Sequence, residues 1–201
     1  MNILIIGPSW VGDMVMAQTL FQCLRQRHPG CSIDVLAPEW SRPILERMPE
    51  VRVALSFPLG HGVLDVAARR RIGKSLTGQY DQAILLPNSL KSALVPFFAG
   101  IPLRTGWKGE MRYGLLNDIR TLDKDRYPLM IERFMALAFE PGVTLQEPYP
   151  RPQLQIDPAS REKAFANRIR SRSVRNSDSP AAYRRSGSGR DLTSRGSMSV
   201  V

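Results

Sequence analysis

Asp13 is the residue of this 201-residue chain best placed to do chemistry. It follows the glycine-bounded turn Gly7-Pro8-Ser9-Trp10-Val11-Gly12 and stands where a helical apolar pattern begins, at Met14, Ala17, Leu20, Phe21 and Leu24. A carboxylate there has two readings. As a helix N-cap it accepts bonds from free backbone N–H groups. As a general base it takes a proton from a hydroxyl. A helix N-terminus favours the ionised carboxylate, the form a base needs, while weakening its basicity. Spacing alone leaves both roles open.

The turn is not one of the common nucleotide-binding loops. Gly7-Pro8-Ser9 breaks the G-x-G-x-x-G dinucleotide fingerprint at its second glycine. Gly7 and Gly12 fit the glycine frame of G-x-x-x-x-G-K-[ST], but Asp13 stands in the lysine's place and Met14 in that of the magnesium-binding hydroxyl. A carboxylate at that position repels a triphosphate, which argues against an NTPase.

Other groups could serve a ligand. His61 lies in the loop Pro58-Leu59-Gly60-His61-Gly62, and Asn88 and Lys91 flank a second turn at Pro87-Asn88-Ser89. Both turns follow apolar segments, and open α/β sheets place their ligands at the carboxyl ends of strands. Asn88 or Ser89 capping a helix would account for the second turn equally well. Arg104, Lys108, Arg112 and Arg120 are interleaved with Trp107 and Tyr113. Cationic and aromatic groups together grip sugars bearing carboxylates or phosphates, and single-stranded nucleic acid too. Arg69, Arg70, Arg71 and Lys74 read as the solvated face of a helix, or as a patch attracted to anionic lipid headgroups. Asp123-Lys124-Asp125 is too sparse for a metal site, because hard cations need more oxygen ligands.

The elements that must hold these groups alternate along the chain. The apolar run Ile3 to Ile6 predicts a first strand, followed by a helix that closes at His28-Pro29-Gly30. Strands are predicted at Ser32 to Ala37, Val51 to Leu55, Tyr80 to Leu86 and Leu103 to Gly106. Helices are predicted within Glu39 to Met48 (a short one beginning near Pro43), at Gly62 to Gly78, Leu90 to Ala99 and Pro128 to Glu140, the last with proline in its first position. Pro148, Pro150, Pro152 and Pro158 make an extended connector, with Leu154-Gln155-Ile156 an edge strand or linker. This is an α/β order and implies a Rossmann-like parallel sheet with flanking helices. No apolar run is long enough for a signal-peptide core or a membrane span. Cys23 and Cys31 lack metal-ligand spacing and are too few for a disulfide framework, so a reducing cytoplasm is expected.

The net charge of +10 is concentrated at one end. From Asn167 onward there are eight Arg against two Asp, while the first 166 residues carry 20 basic and 16 acidic groups. The last 35 residues, with nine Ser and no sustained apolar period, are expected to be disordered.

GPSWVGDMVMAQTL, PEWSRPILERMPEV, PLGHG, LPNSLKSALVPFFAGIPLRTGWKGEMRYGLLNDIR and LDKDRYPLMIERFMALA together resemble the bacterial lipopolysaccharide heptosyltransferases. These are glycosyltransferases with two Rossmann-like domains, the GT-B fold. The resemblance covers roughly residues 1 to 165. It implies transfer of heptose from ADP-heptose to the inner-core heptose of nascent lipopolysaccharide (Kdo-lipid A carrying the first heptose). Inversion, no metal and no cofactor beyond the donor are implied with it. So are a cytoplasmic enzyme in peripheral contact with the inner membrane and no nucleic-acid partner. Asp13 becomes the candidate catalytic base. Ser9, Trp10, Gly12, His61, Asn88, Lys91, Arg104, Lys108, Arg112 and Arg120 become the candidate acceptor contacts.

On the family pattern, residues 1–158 are an N-terminal, acceptor-side domain and 159–166 start the interdomain linker. A second domain is expected where the Arg/Ser-rich tail, 167–201, stands. An abrupt switch to Arg, Ser, Gly and Ala is what an out-of-frame reading of GC-rich DNA gives, so a frameshifted or truncated product, inactive alone, is expected. The alternative is a non-catalytic binding module whose basic arm binds RNA or a membrane, with binding that weakens steeply in salt.

Overall fold

The computed structural model describes residues 1–57 and 64–156, with Pro158, Arg161, Glu162 and Ala166 beyond them. The expectations for His61, the start of a helix at Gly62 and the tail 167–201 lie outside the described residues. The chain divides into a unit at Met1–Asp157, which holds every strand and helix named below, and another at Pro158–Val201.

Six strands form one parallel sheet: β1 (Asn2–Ile6), β2 (Ser32–Pro38), β3 (Val51–Phe57), β4 (Gln82–Leu85), β5 (Leu103–Trp107) and β6 (Asp118–Arg120). Their order is β3-β2-β1-β4-β5-β6. β1 is central, and its four apolar residues are buried on both faces. Ile3 and Ile5 join one core with Ile33, Val35 and Ile84, while Leu4 and Ile6 join the other with Leu36, Ala83 and Leu85. An uninterrupted apolar run, not an alternating one, is what a parallel strand covered on both sides requires. Full burial of each such side chain contributes about 1.5–3 kcal/mol.

Helices α1 (Val11–Arg27), α2 (Arg42–Leu45), α3 (Val66–Ser75), α4 (Leu90–Phe98) and α5 (Met130–Met135) supply the cover. The stripe Met14, Ala17, Leu20, Phe21 and Leu24 is buried and belongs to the first core, to which α5 contributes Phe134 and Met135. α3 and α4 pack on each other, and Leu76, Ala93 and Val95 close the second core.

Several elements differ from the sequence expectation. β6 has no counterpart there: it is three residues long and two of them are charged, so it carries no period to read. The short helix expected to begin near Pro43 is α2, with Pro43 in its first turn, but Glu39–Ser41 ahead of it is a 3-10 turn and α2 ends at Leu45, short of Met48. The helix expected from Pro128 starts at Met130, because the Glu132 carboxylate accepts from the Leu129 N–H at 2.8 Å and caps the helix there. It ends at Met135 and passes into a 3-10 turn, Ala136–Ala138. The segment Leu154-Gln155-Ile156 forms no strand, but the Gln155 N–H donates to the Arg47 carbonyl at 2.8 Å.

Candidate active site

Strand order reverses direction at β1, whose neighbours are β2 on one side and β4 on the other. Loops leaving β1 and β4 therefore diverge, and a crevice opens at their carboxyl ends. A cavity of about 550 Å³ occupies it. One wall is the turn Gly7 to Trp10 with Asp13, and another is the β4–α4 turn, Pro87 to Ser89, with Lys91.

Gly7 is required by packing. A Cβ there would meet the Met14 side chain at 2.7 Å and Ala37 and Val35 at 3.2 Å, so the turn can lie flat on the core only without one. Asp13 is in the first turn of α1 and half-buried. It is not the N-cap: Trp10 holds that position and makes no side-chain cap bond. Among the described residues no hydrogen bond or ion pair engages the Asp13 carboxylate. Trp40 reaches across from the end of β2 and donates its indole N–H to the Ser9 carbonyl at 3.0 Å. That bond ties two exposed rings, Trp10 and Trp40, to the same rim.

The β4–α4 turn is built from both sides. Ser92 Oγ donates to the Ser89 carbonyl at 2.6 Å. The backbone of Gly109 lies so close that an added Cβ would collide with the Asn88 carbonyl oxygen and come within 2.8 Å of the Asn88 Cβ. Glu110 donates its N–H to that oxygen at 3.0 Å, and its carboxylate accepts from the Leu90 N–H at 2.7 Å. The acidic cap of α4 is thus Glu110, from a distant loop, and neither Asn88 nor Ser89 caps it through its side chain. That leaves Asn88 and Lys91 on the cavity wall.

The basic residues divide. Arg112 is only 2% exposed and donates to the carbonyls of Pro87 and Trp107. Burial holds its pKa below the usual guanidinium value, with the Glu110 carboxylate opposing. Arg104 donates to the carbonyls of Leu115 and Ile101, and Arg120 to Asp118 and to the carbonyls of Ala136 and Phe139. Lys108 is exposed. None of these four lines the cavity, and neither does Gly12; Ser9, Trp10, Asp13, Asn88 and Lys91 do.

Trp40, Met130 and Arg133, which sequence reasoning does not single out, also line it, and so does Arg69. The sequence reads Arg69 as part of a solvated helix face. It is instead 5% exposed, donates to the carbonyls of Leu64 at 2.6 Å and Lys91 at 3.1 Å, and lies over the Phe57 ring. Burial lowers its pKa, with Asp65 opposing. Nothing in a run of three arginines marks the first as the buried one. Asp123 accepts from the N–H groups of Asp125 and Arg126, which is a turn and not a metal site. Among the described residues no group of three or more His, Cys, Asp or Glu could hold a metal ion.

A parallel sheet in this order, with helices on both faces and a cavity at its switch point, defines a Rossmann-like domain. Glycosyltransferase family 9 (heptosyltransferase) matches residues 69–175, more than half of the chain, and the chain belongs to that family. It is 59% identical over 162 residues to lipopolysaccharide heptosyltransferase 2 of Escherichia coli, covering 78% of this chain and 47% of that protein. It is 57% identical over 168 residues to lipooligosaccharide heptosyltransferase 2 of Haemophilus influenzae, covering 82% and 48%. The solved structure of E. coli ADP-heptose lps heptosyltransferase II superposes with a TM-score of 0.75 at 51% identity, over 84% of this chain and 50% of that one. The chain spans about half the length of the relatives it matches.

Proposed function

We propose that this chain is the acceptor-side part of a transferase that moves heptose from ADP-heptose to the inner-core heptose of lipopolysaccharide. The observation that carries this is the unengaged Asp13 carboxylate on the wall of the switch-point cavity of a family 9 chain. The names of the relatives supply the donor and the class of acceptor. The compact unit Met1–Asp157 supports an acceptor-side domain over residues 1–158, with the linker starting at 159–166 and the tail 167–201 outside it.

In the proposed step the acceptor hydroxyl gives its proton to Asp13 while its oxygen attacks the anomeric carbon of the donor. The bond from that carbon to the phosphate oxygen breaks on the opposite face, ADP leaves with the electron pair, and the configuration inverts. General-base assistance contributes about 10²–10⁴-fold. Holding the two sugars in line contributes about 7–11 kcal/mol in favourable cases, which requires a donor-side domain as well. Lys91, Arg69 and Arg133 give the cavity a positive wall for the acceptor's anionic groups, and Trp10 and Trp40 give it aromatic surface for sugar faces. We place the reaction at the cytoplasmic face of the inner membrane; no helix among the described residues is long and apolar enough to cross a membrane.

Calorimetric titration of the chain with a deacylated, heptose-bearing inner-core fragment tests this. Binding that weakens with added salt is expected. Absence of binding at low salt would contradict it.

A further inference from the structure

We propose that Arg112 is a positioning residue for the anion-binding wall of the cavity, an assignment that rests on the acceptor role above. A guanidinium has five N–H donors in a fixed fork and stays charged even when buried. Here that fork is inserted between two loops. It donates to the Pro87 carbonyl at 2.8 Å and to the Trp107 carbonyl, with longer contacts to Ser92 Oγ at 3.4 Å and Asn88 Oδ1 at 3.5 Å. Each of those four acceptors belongs to a residue that lines the cavity. Arg112 itself does not.

Two features separate this from an ordinary structural arginine. Its side chain makes no ion pair among the described residues, and its Nε has no hydrogen-bond partner. The Glu110 carboxylate acts on it from nearby but is bonded to the Leu90 N–H instead. A buried cation without a paired carboxylate is costly to a fold. Its position behind Asn88 and Ser92 places a positive charge beneath the wall that carries Lys91. The pin therefore fixes Asn88 at the rim and biases that wall toward anions. Fixing the Asn88 amide serves any polar ligand, whereas the buried charge favours a carboxylate or phosphate over a neutral sugar.

The test uses the whole chain and two probes: the deacylated inner-core fragment, and the same fragment dephosphorylated and carboxyl-reduced. Arg112→Met removes fork and charge, and Arg112→Lys keeps the charge without the fork. For the charged probe, a loss of about tenfold or more in affinity is expected with Arg112→Met and a smaller loss with Arg112→Lys, and the loss for the neutral probe should be clearly smaller than for the charged one. In the wild-type chain, the Arg112 guanidinium NMR signals should shift on adding the charged probe and not the neutral one, a readout that needs no variant to fold. Equal losses for both probes, or charged-probe affinity within twofold of wild type in a folded Arg112→Met chain, would overturn the assignment alone. Absent guanidinium shifts in a wild-type chain that binds the charged probe would do the same. A wild-type chain that binds neither probe would overturn the acceptor role with it.

Discussion

Asp34, 3% exposed on β2, accepts from Arg52 through two nitrogens at 2.9 and 2.6 Å and from the Tyr80 hydroxyl at 2.7 Å. Those three donors tie β2 to β3 and to the entry of β4. Among the described residues Asp13 has no such partners, which suits the role proposed for it. Surroundings, not residue type, separate the two carboxylates. Asp34→Asn should therefore lower stability by about 1–3 kcal/mol in denaturant titration, with acceptor affinity unchanged. Burial and the Asp34 hydrogen bond raise the Tyr80 pKa, and burial pushes the Cys23 thiol up to about 11 against the opposing charge of Arg27. Both are acids whose neutral forms the fold favours. Their contribution is complete below the unfolded-state values, about 8.5 for cysteine and 10 for tyrosine, and is lost as pH rises above them. Stability should fall from about pH 8.5 upward, and Cys23→Ala should flatten the first part of that decline. An unchanged slope in Cys23→Ala would show that the thiol is not responsible.

At the scale of elements, the cavity depends on loops that pack on one another. Gly109→Ala would force its Cβ onto the Asn88 carbonyl, and a loss of about 1–3 kcal/mol is expected from that overpacking. Weaker acceptor binding should accompany it, and a variant as stable as the parent would show that the two loops can part without cost. Behind the cavity, the fully buried Gln18 of α1 donates to Glu50 and to the Gln153 carbonyl and accepts from the Gln153 N–H. These bonds hold the proline-rich connector on the helix that bears Asp13. What could be read from sequence was what periodicity or turn chemistry encodes. The run Ile3 to Ile6, the stripe along α1 and the turn at Pro87 to Ser89 foretell the central strand, the first helix and two walls of the cavity. The rest depends on partners far along the chain. Glu110 capping α4, Arg69 buried beneath Lys91 and Arg112 pinning two loops are all long-range side-chain bonds, and an exposed arginine has the same letter as a buried one.

At the scale of the whole molecule, the proposed reaction draws its base from this domain and its donor from another. The tail 167–201 has no part in the acceptor site we propose, so a chain ending at residue 166 should bind the inner-core fragment within about twofold of the full chain. A large loss would favour a basic binding arm. The most direct test joins residues 1–156 to the second half of the E. coli relative and compares the fusion with its Asp13→Asn variant. Asp13 as the base predicts a fall of about 10²–10⁴-fold in heptose transfer, with the melting temperature and the acceptor affinity retained. Transfer by Asp13→Asn at the rate of the unsubstituted fusion would contradict that role.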